Sequence, residues 1–150
     1  MTRTLQTAAA TAEFGATLAR ALHGGLVIYL RGELGAGKTT LARGILQAMG
    51  VTERIKSPTY TLVEPYNLSK LYLYHFDFYR LRHPDEWLDA GFREHFNAES
   101  LCLVEWPEKA GAQLPPADLT VDLGVDGDTR SMTLSAHTEA GTNCLRRLKA

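Results

Sequence analysis

An α/β fold is predicted by three features of the sequence. A strand, a glycine-rich loop and a helix follow one another without a break over residues 26–49. A second apolar run, at residues 101–104, ends in an acid, with helical sequence between the two. An alternating hairpin follows at residues 119–136. The 150 residues suit one domain with a real core, and no repeat, low-complexity tract or linker divides them, so residues 1–150 are read as one unit. Hydrophobic residues at 45% and charged residues at 22% are ordinary for a soluble globular chain. A net charge of −1 supplies no global basic field to draw nucleic acid.

The N-terminal residues MTRTLQTAAATAEF carry no apolar signal core, and no run is long enough to span a bilayer, so a cytoplasmic protein without membrane contact is expected. Residues 7–22 read as a helix in which Phe14, Leu18, Ala21 and Leu22 share a face, with Thr7 or Thr11 as cap and Gly24-Gly25 as stop. His23 is a polar loop residue.

Residues 26–30 are a short apolar run rich in β-formers. Then Gly32-Glu33-Leu34-Gly35-Ala36-Gly37-Lys38-Thr39 matches G-x-x-x-x-G-K-[ST] at every fixed position. From Lys38 the apolar residues Leu41, Ile45, Leu46 and Met49 recur at helical spacing, and Gly50 is placed to stop the helix. The residue types suit a phosphate. Glycines let the backbone curl and aim its N–H groups inward, and the helix start adds a positive dipole end. Lys38 is suited to the β- and γ-phosphates and the Thr39 hydroxyl to Mg²⁺. A nucleoside triphosphate is the ligand this stretch implies.

After Val51 to Ile55, Pro58 biases Ser57 to extended geometry, and Tyr60, Leu62 and Tyr66 suggest a strand. The hydroxyls gathered between Ser57 and Thr61 suit a Mg²⁺ shell or a γ-phosphate sensor; a plain loop leading into a strand has the same residue types. Residues 71–80, LYLYHFDFYR, read as a strand ending near Asp77, with a hairpin turn at residues 67–70 before it. An acid at a strand end beside a phosphate loop is placed to touch water or metal. A clasp between Asp77 and Arg80 is the structural alternative. His75 alternates with Asp77 and, taken alone, is a core histidine.

Pro84 opens a short helix through Leu88, Gly91-Phe92 interrupt it, and residues 93–96 form another turn. In Leu101-Cys102-Leu103-Val104-Glu105-Trp106-Pro107, four apolar residues precede an acid, the pattern of a metal-site strand in nucleotide hydrolases. Glu105 stands where Asp is usual, and its extra length suits action through water or as a base. A solvated acid just past a buried strand is the alternative. Trp106 either anchors packing or covers the site. Cys102 is read as a reduced core residue, and Cys144 is too distant in sequence to suggest a metal or redox pair. Residues 109–117 form a loop, and the hairpin at 119–136 turns over residues 124–128. Arg130 is placed to meet a phosphate or base, or to lie on the surface. Residues 141–148 suggest a last helix, with Arg146, Arg147 and Lys149 at its solvated end.

GELGAGKTT, SPTYTLVEPY, HFDFYRL and LVEWPE, in this order and spacing, resemble the TsaE (YjeE) family over nearly the whole chain. These are bacterial P-loop ATPases needed to form N6-threonylcarbamoyladenosine at position 37 of tRNAs that read ANN codons. The resemblance implies a three-layer P-loop NTPase-like domain: a central mixed sheet, helices on both faces and an antiparallel C-terminal hairpin. It implies Mg²⁺-ATP held by Gly35, Ala36, Gly37, Lys38, Thr39 and Thr40, with Thr39 and Glu105 as metal ligands. Ser57 to Thr59 would form a switch-like loop, with Ser57 and Thr59 near the nucleotide. Asp77, with Glu105 and Lys38, would be needed for hydrolysis. Thr11, at a position commonly Thr in the family, and Arg130, in a hairpin that matches the family only loosely, would be further nucleotide contacts. The implied partners are the TsaD and TsaB proteins, with tRNA met only through their complex and the chain a monomer on its own.

The residues alone reach a Mg²⁺-dependent nucleotide hydrolase or switch. A small-molecule kinase would need an acceptor pocket and an arginine-bearing lid; Arg80, Arg82 and Arg93 offer arginines, yet no lid segment is evident. A nucleotide-sensing module without useful turnover is the third class. A GTPase is disfavoured, because no N-K-x-D signature occurs.

Overall fold

The computed structural model describes residues 1–149. Its centre is a seven-stranded sheet in the order β1-β7-β6-β2-β5-β4-β3. The strands are β1 (Thr2–Leu5), β2 (Val27–Arg31), β3 (Val63–Leu68), β4 (Leu71–Asp77), β5 (Ser100–Glu105), β6 (Leu119–Asp126) and β7 (Thr129–Ala136). The four middle strands, β6, β2, β5 and β4, run parallel, and β1, β7 and β3 are added antiparallel at the two sides. The C-terminal hairpin is therefore no appendage, because β6 also pairs in parallel with β2.

Alternation along the strands divides two cores. Ile28, Leu30, Leu101 and Leu103 face the longer helices, α1 (Ala8–Ala19) and α2 (Lys38–Ala48), and α4 (Glu139–Lys149) buries Cys144 in the same cluster. Val27, Phe76, Cys102 and Val104 face a thinner layer made of α3 (Asp85–Asp89) and two 3-10 helices, Phe92–His95 and Pro107–Ala110. Both faces are covered, the second by single turns whose aromatic side chains do the filling: Phe76, Phe78, Trp87 and Phe96 lie within ring-contact distance of one another in sequence. The buried Trp87 indole donates to the Ala110 carbonyl at 2.9 Å, which ties α3 to the turn after β5.

Helices α1 and α2 cross closely. A Cβ on Gly15 would lie 2.6 Å from the Leu41 carbonyl oxygen, and one on Gly44 would lie 2.4 Å from that of Ala12. Thr7 caps α1 by accepting from the Ala10 N–H at 3.0 Å; Thr11 lies within the helix.

Several expectations are corrected. β1 was not foreseen: three of its four residues are exposed, so it shows no buried pattern, and only pairing with β7 defines it. Tyr60 belongs to a turn and is 82% exposed, and the strand starts at Val63. The β6–β7 hairpin turns tightly at Gly127-Asp128, because both strands extend further than the apolar alternation does. Arg147 is not simply solvated, since its guanidinium donates to the Ala21 carbonyl at 2.8 Å and fastens α4 to the end of α1. Cys102 and Cys144 are free and buried, and burial pushes the Cys102 thiol up to about 12.

Candidate nucleotide site

The site lies where the parallel strands β2, β4 and β5 end, the location at which open α/β sheets form clefts. Residues 32–37 connect β2 to α2. Gly35 and Gly37 hold φ of 80° and 109°, a left-handed backbone that side chains disfavour. Gly37 is the N-cap of α2, and no side chain caps the helix there. Its first-turn N–H groups and dipole end are thus left to an external acceptor, which favours an anion.

The Lys38 side chain folds back over this loop. Its ammonium donates to the Gly32 carbonyl and, at 3.1 Å, to that of Glu33, and it lies 4.2 Å from the centre of the Trp106 ring. Burial pulls its pKa below the ordinary lysine value, with nearby Glu105 and Asp77 opposing that shift.

Thr39, next on the helix, points its hydroxyl between both oxygens of Glu105, at 3.2 Å from each. The two expected metal ligands, 66 positions apart in sequence, are therefore in contact. Glu105 is 2% exposed, which removes the alternative of a solvated acid. A hydroxyl beside a carboxylate fits Mg²⁺, which takes one or two protein oxygens and completes its shell with phosphate and water. Among the described residues no group of three or more His, Cys, Asp or Glu side chains is arranged to hold a metal alone.

Asp77 is paired in register with Glu105 on the neighbouring strand. One of its oxygens accepts from the Tyr79 N–H at 2.9 Å. Burial raises its pKa above the ordinary carboxylate value; the Tyr79 bond opposes this and the Glu105 charge adds to it. The alternative clasp to Arg80 is not formed: the Arg80 guanidinium lies 4.5 Å from the centre of the Tyr60 ring.

These groups line a cavity of about 400 Å³, shared by Gly37, Lys38, Thr39, Thr59, Asp77 and Glu105. Ser57 stands behind Thr59, with the two hydroxyls 2.7 Å apart. Thr11, Gly35, Ala36, Thr40 and Arg130 meet at a second cavity of about 150 Å³ on the other side of the loop. Arg130 is not an idle surface residue, since Nε and Nη2 donate to the Gly35 carbonyl at 3.3 and 3.2 Å. The loop is thus braced from β7.

Two residues do more than their sequence signal showed. Trp106 takes φ of 56° directly after Glu105, an unusual backbone for a bulky residue, and its ring lies against Tyr79 and Lys38. His75 is fully buried with Nε2 2.6 Å from Glu105. Its alternation with Asp77 was visible; its contact across the sheet depends on strand register.

Residues 5–132 match the family model described as Threonylcarbamoyl adenosine biosynthesis protein TsaE. The chain is similar to proteins named tRNA threonylcarbamoyladenosine biosynthesis protein TsaE from several bacteria. The one from Haemophilus influenzae is 49% identical over 120 residues, which cover 80% of this chain and 76% of that protein. The one from Treponema pallidum is 37% identical, covering 83% and 93%, and the one from Bacillus subtilis 42% identical, covering 75% and 70%. The crystal structure of Bacillus subtilis YdiB superposes with a TM-score of 0.82 at 29% identity, over 99% of this chain and 93% of that one. A match over most of its length by sequence, and nearly all of it by fold, means that the chain belongs to the TsaE family.

Proposed function

We propose that the protein binds Mg²⁺-ATP at this site, hydrolyses it to ADP and phosphate, and so serves formation of the threonylcarbamoyl group on adenosine 37 of tRNAs reading ANN codons, acting with TsaD and TsaB. The observation that carries the nucleotide reading is the contact of Thr39 with Glu105 at the start of an uncapped helix behind a left-handed glycine loop. The tRNA reading follows from the family and from the printed names of the relatives.

Each residue has a task in this reading. The backbone from Gly35 to Thr40 supplies N–H donors to phosphate oxygens. Lys38 exchanges its carbonyl contacts for phosphate oxygens, a charge-assisted interaction that its partial burial strengthens. Thr39 and Glu105 would hold Mg²⁺, which when bound offsets phosphate charge. Asp77, buried and raised in pKa, is suited to orient the attacking water and take up its proton. Thr59 senses the γ-phosphate from the segment containing Ser57, while Thr11 and Arg130 border the loop from the side of the smaller cavity.

The test is phosphate release from Mg²⁺-ATP by the purified chain, alone and with TsaD–TsaB, with no acceptor added. Release that the partners accelerate supports the proposal. Phosphoryl transfer only when a small acceptor is present would make the protein a kinase. ATP binding with no release under any condition would make it a sensor.

A further inference from the structure

Beneath the two expected metal ligands lies a polar group that the proposed chemistry leaves unused. His75 is on β4, paired with Leu103 of β5, and it faces the same side of the sheet as Asp77 and Glu105. It is fully buried, and Glu105 is 2% exposed. Nε2 lies 2.6 Å from Glu105 Oε2, and the same carboxylate meets the Thr39 hydroxyl from its other side. Among the described residues, Nδ1 has no hydrogen-bond partner.

An imidazole with one ring proton donates from one nitrogen and accepts at the other. A carboxylate only accepts, so in the contact with Glu105 it is Nε2–H that donates, and Nδ1 is left without a partner. A buried ring nitrogen without a partner is costly, and such groups call for an explanation. The bond made by the opposite nitrogen supplies one. A glutamate has three side-chain torsions, and an unrestrained Glu105 could turn either oxygen to Thr39 or withdraw both. The His75 bond fixes Oε2 from behind and so holds the carboxylate with both oxygens 3.2 Å from the Thr39 hydroxyl. Donors behind a ligating carboxylate or histidine fix ligand orientation in metal sites generally.

We propose that His75 is a positioning residue that holds Glu105 in the rotamer able to share Mg²⁺ with Thr39. This rests on the Mg²⁺-ATP reading above, so the test separates the two. ATP is titrated calorimetrically into the wild type, His75→Leu and His75→Gln, in EDTA and across a Mg²⁺ series. Glutamine keeps an N–H donor near the Nε2 position, and leucine removes it. The expected result is unchanged metal-free ATP affinity in all three, with the Mg²⁺ requirement for tight binding raised about tenfold in His75→Leu and largely restored in His75→Gln. A His75→Leu response equal to wild type, or a loss that His75→Gln shares in full, overturns the inference alone. A wild type whose ATP binding ignores Mg²⁺ overturns it together with the proposed function. Nitrogen-15 NMR of the unsubstituted protein tests the contact without any variant. Nε2–H is expected, and a proton on Nδ1 with Nε2 bare would contradict it.

Discussion

At the scale of residues, the site is set by groups whose burial changes their chemistry. The Lys38 ammonium is held by the Gly32 and Glu33 carbonyls in a partly desolvated position. A charge-assisted contact of this kind is worth about 1.5–3 kcal/mol, so Lys38→Ala is expected to weaken Mg²⁺-ATP binding by at least about tenfold in calorimetry. On the proposed function, Asp77 would couple hydrolysis to stability. Its folded-state pKa is raised, chiefly by desolvation, so the native state holds this proton more tightly than the unfolded chain does. Its contribution favours folding at low pH and is lost as pH rises from the ordinary carboxylate value through the raised one. At pH 7 the buried charge is a net cost. Asp77→Asn is therefore expected to melt at a higher temperature than wild type at pH 7, with the gap closing as pH falls, while hydrolysing ATP more slowly. Thermal melts at pH 7 and pH 4, beside phosphate-release rates, check both halves. Glu105→Gln is likewise expected to lower turnover more than it weakens ATP binding. That Lys38, Thr39, Asp77 and Glu105 share one cavity was legible because each sits at a fixed offset from a strand or motif boundary. The burial of His75 and the place of Trp106 over the site were legible too, but not the His75 contact with Glu105, which acts across 30 positions of sequence, nor the left-handed backbone of Trp106.

At the scale of elements, the start of α2 is aimed by its close crossing with α1. Gly15 and Gly44 are the reason the helices approach so nearly, because a Cβ on either would meet backbone atoms of the other helix. Helix propensity alone would make Gly44→Ala stabilising by roughly 0.5–1 kcal/mol. The 2.4 Å approach to the Ala12 carbonyl oxygen reverses the sign, and we expect a net loss of about 1–3 kcal/mol in urea unfolding. Equal or greater stability would mean that the crossing relaxes freely. The elements that carry a strong apolar period, α1, α2, β2 and β5, were legible within a few residues. β1 escaped because an exposed four-residue edge strand is specified by its partner and not by its own pattern. The strand expected to include Tyr60 failed for a related reason. That residue is a β-former by type, yet the Pro58 carbonyl accepts the Leu62 N–H and closes a turn, with Leu62 itself at φ of 69°.

At the scale of the whole molecule, strand order does what no local pattern reveals. It sets β5 between β2 and β4, so that the glycine-rich loop, Asp77 and Glu105 converge from segments spread over half the chain. The exposed Tyr60 and Leu34 border this same end, and Arg80 lies against the Tyr60 ring, joining the Ser57–Thr61 segment to the strand that carries Asp77. A γ-phosphate that engages Thr59 would act on this join, and a partner that prefers one arrangement would read the nucleotide state. A net charge of −1 agrees with tRNA being met through partners, since direct binding would call for a basic face. On the proposed function, the nucleotide at this site would set how tightly the chain associates with TsaD and TsaB. Sedimentation velocity of the purified chain mixed with TsaD–TsaB, in Mg²⁺-ATP, in Mg²⁺-ADP and without nucleotide, decides whether it does. Co-sedimentation is expected at lower protein concentration in Mg²⁺-ATP than in the other two conditions, and equal association in all three would rule the linkage out.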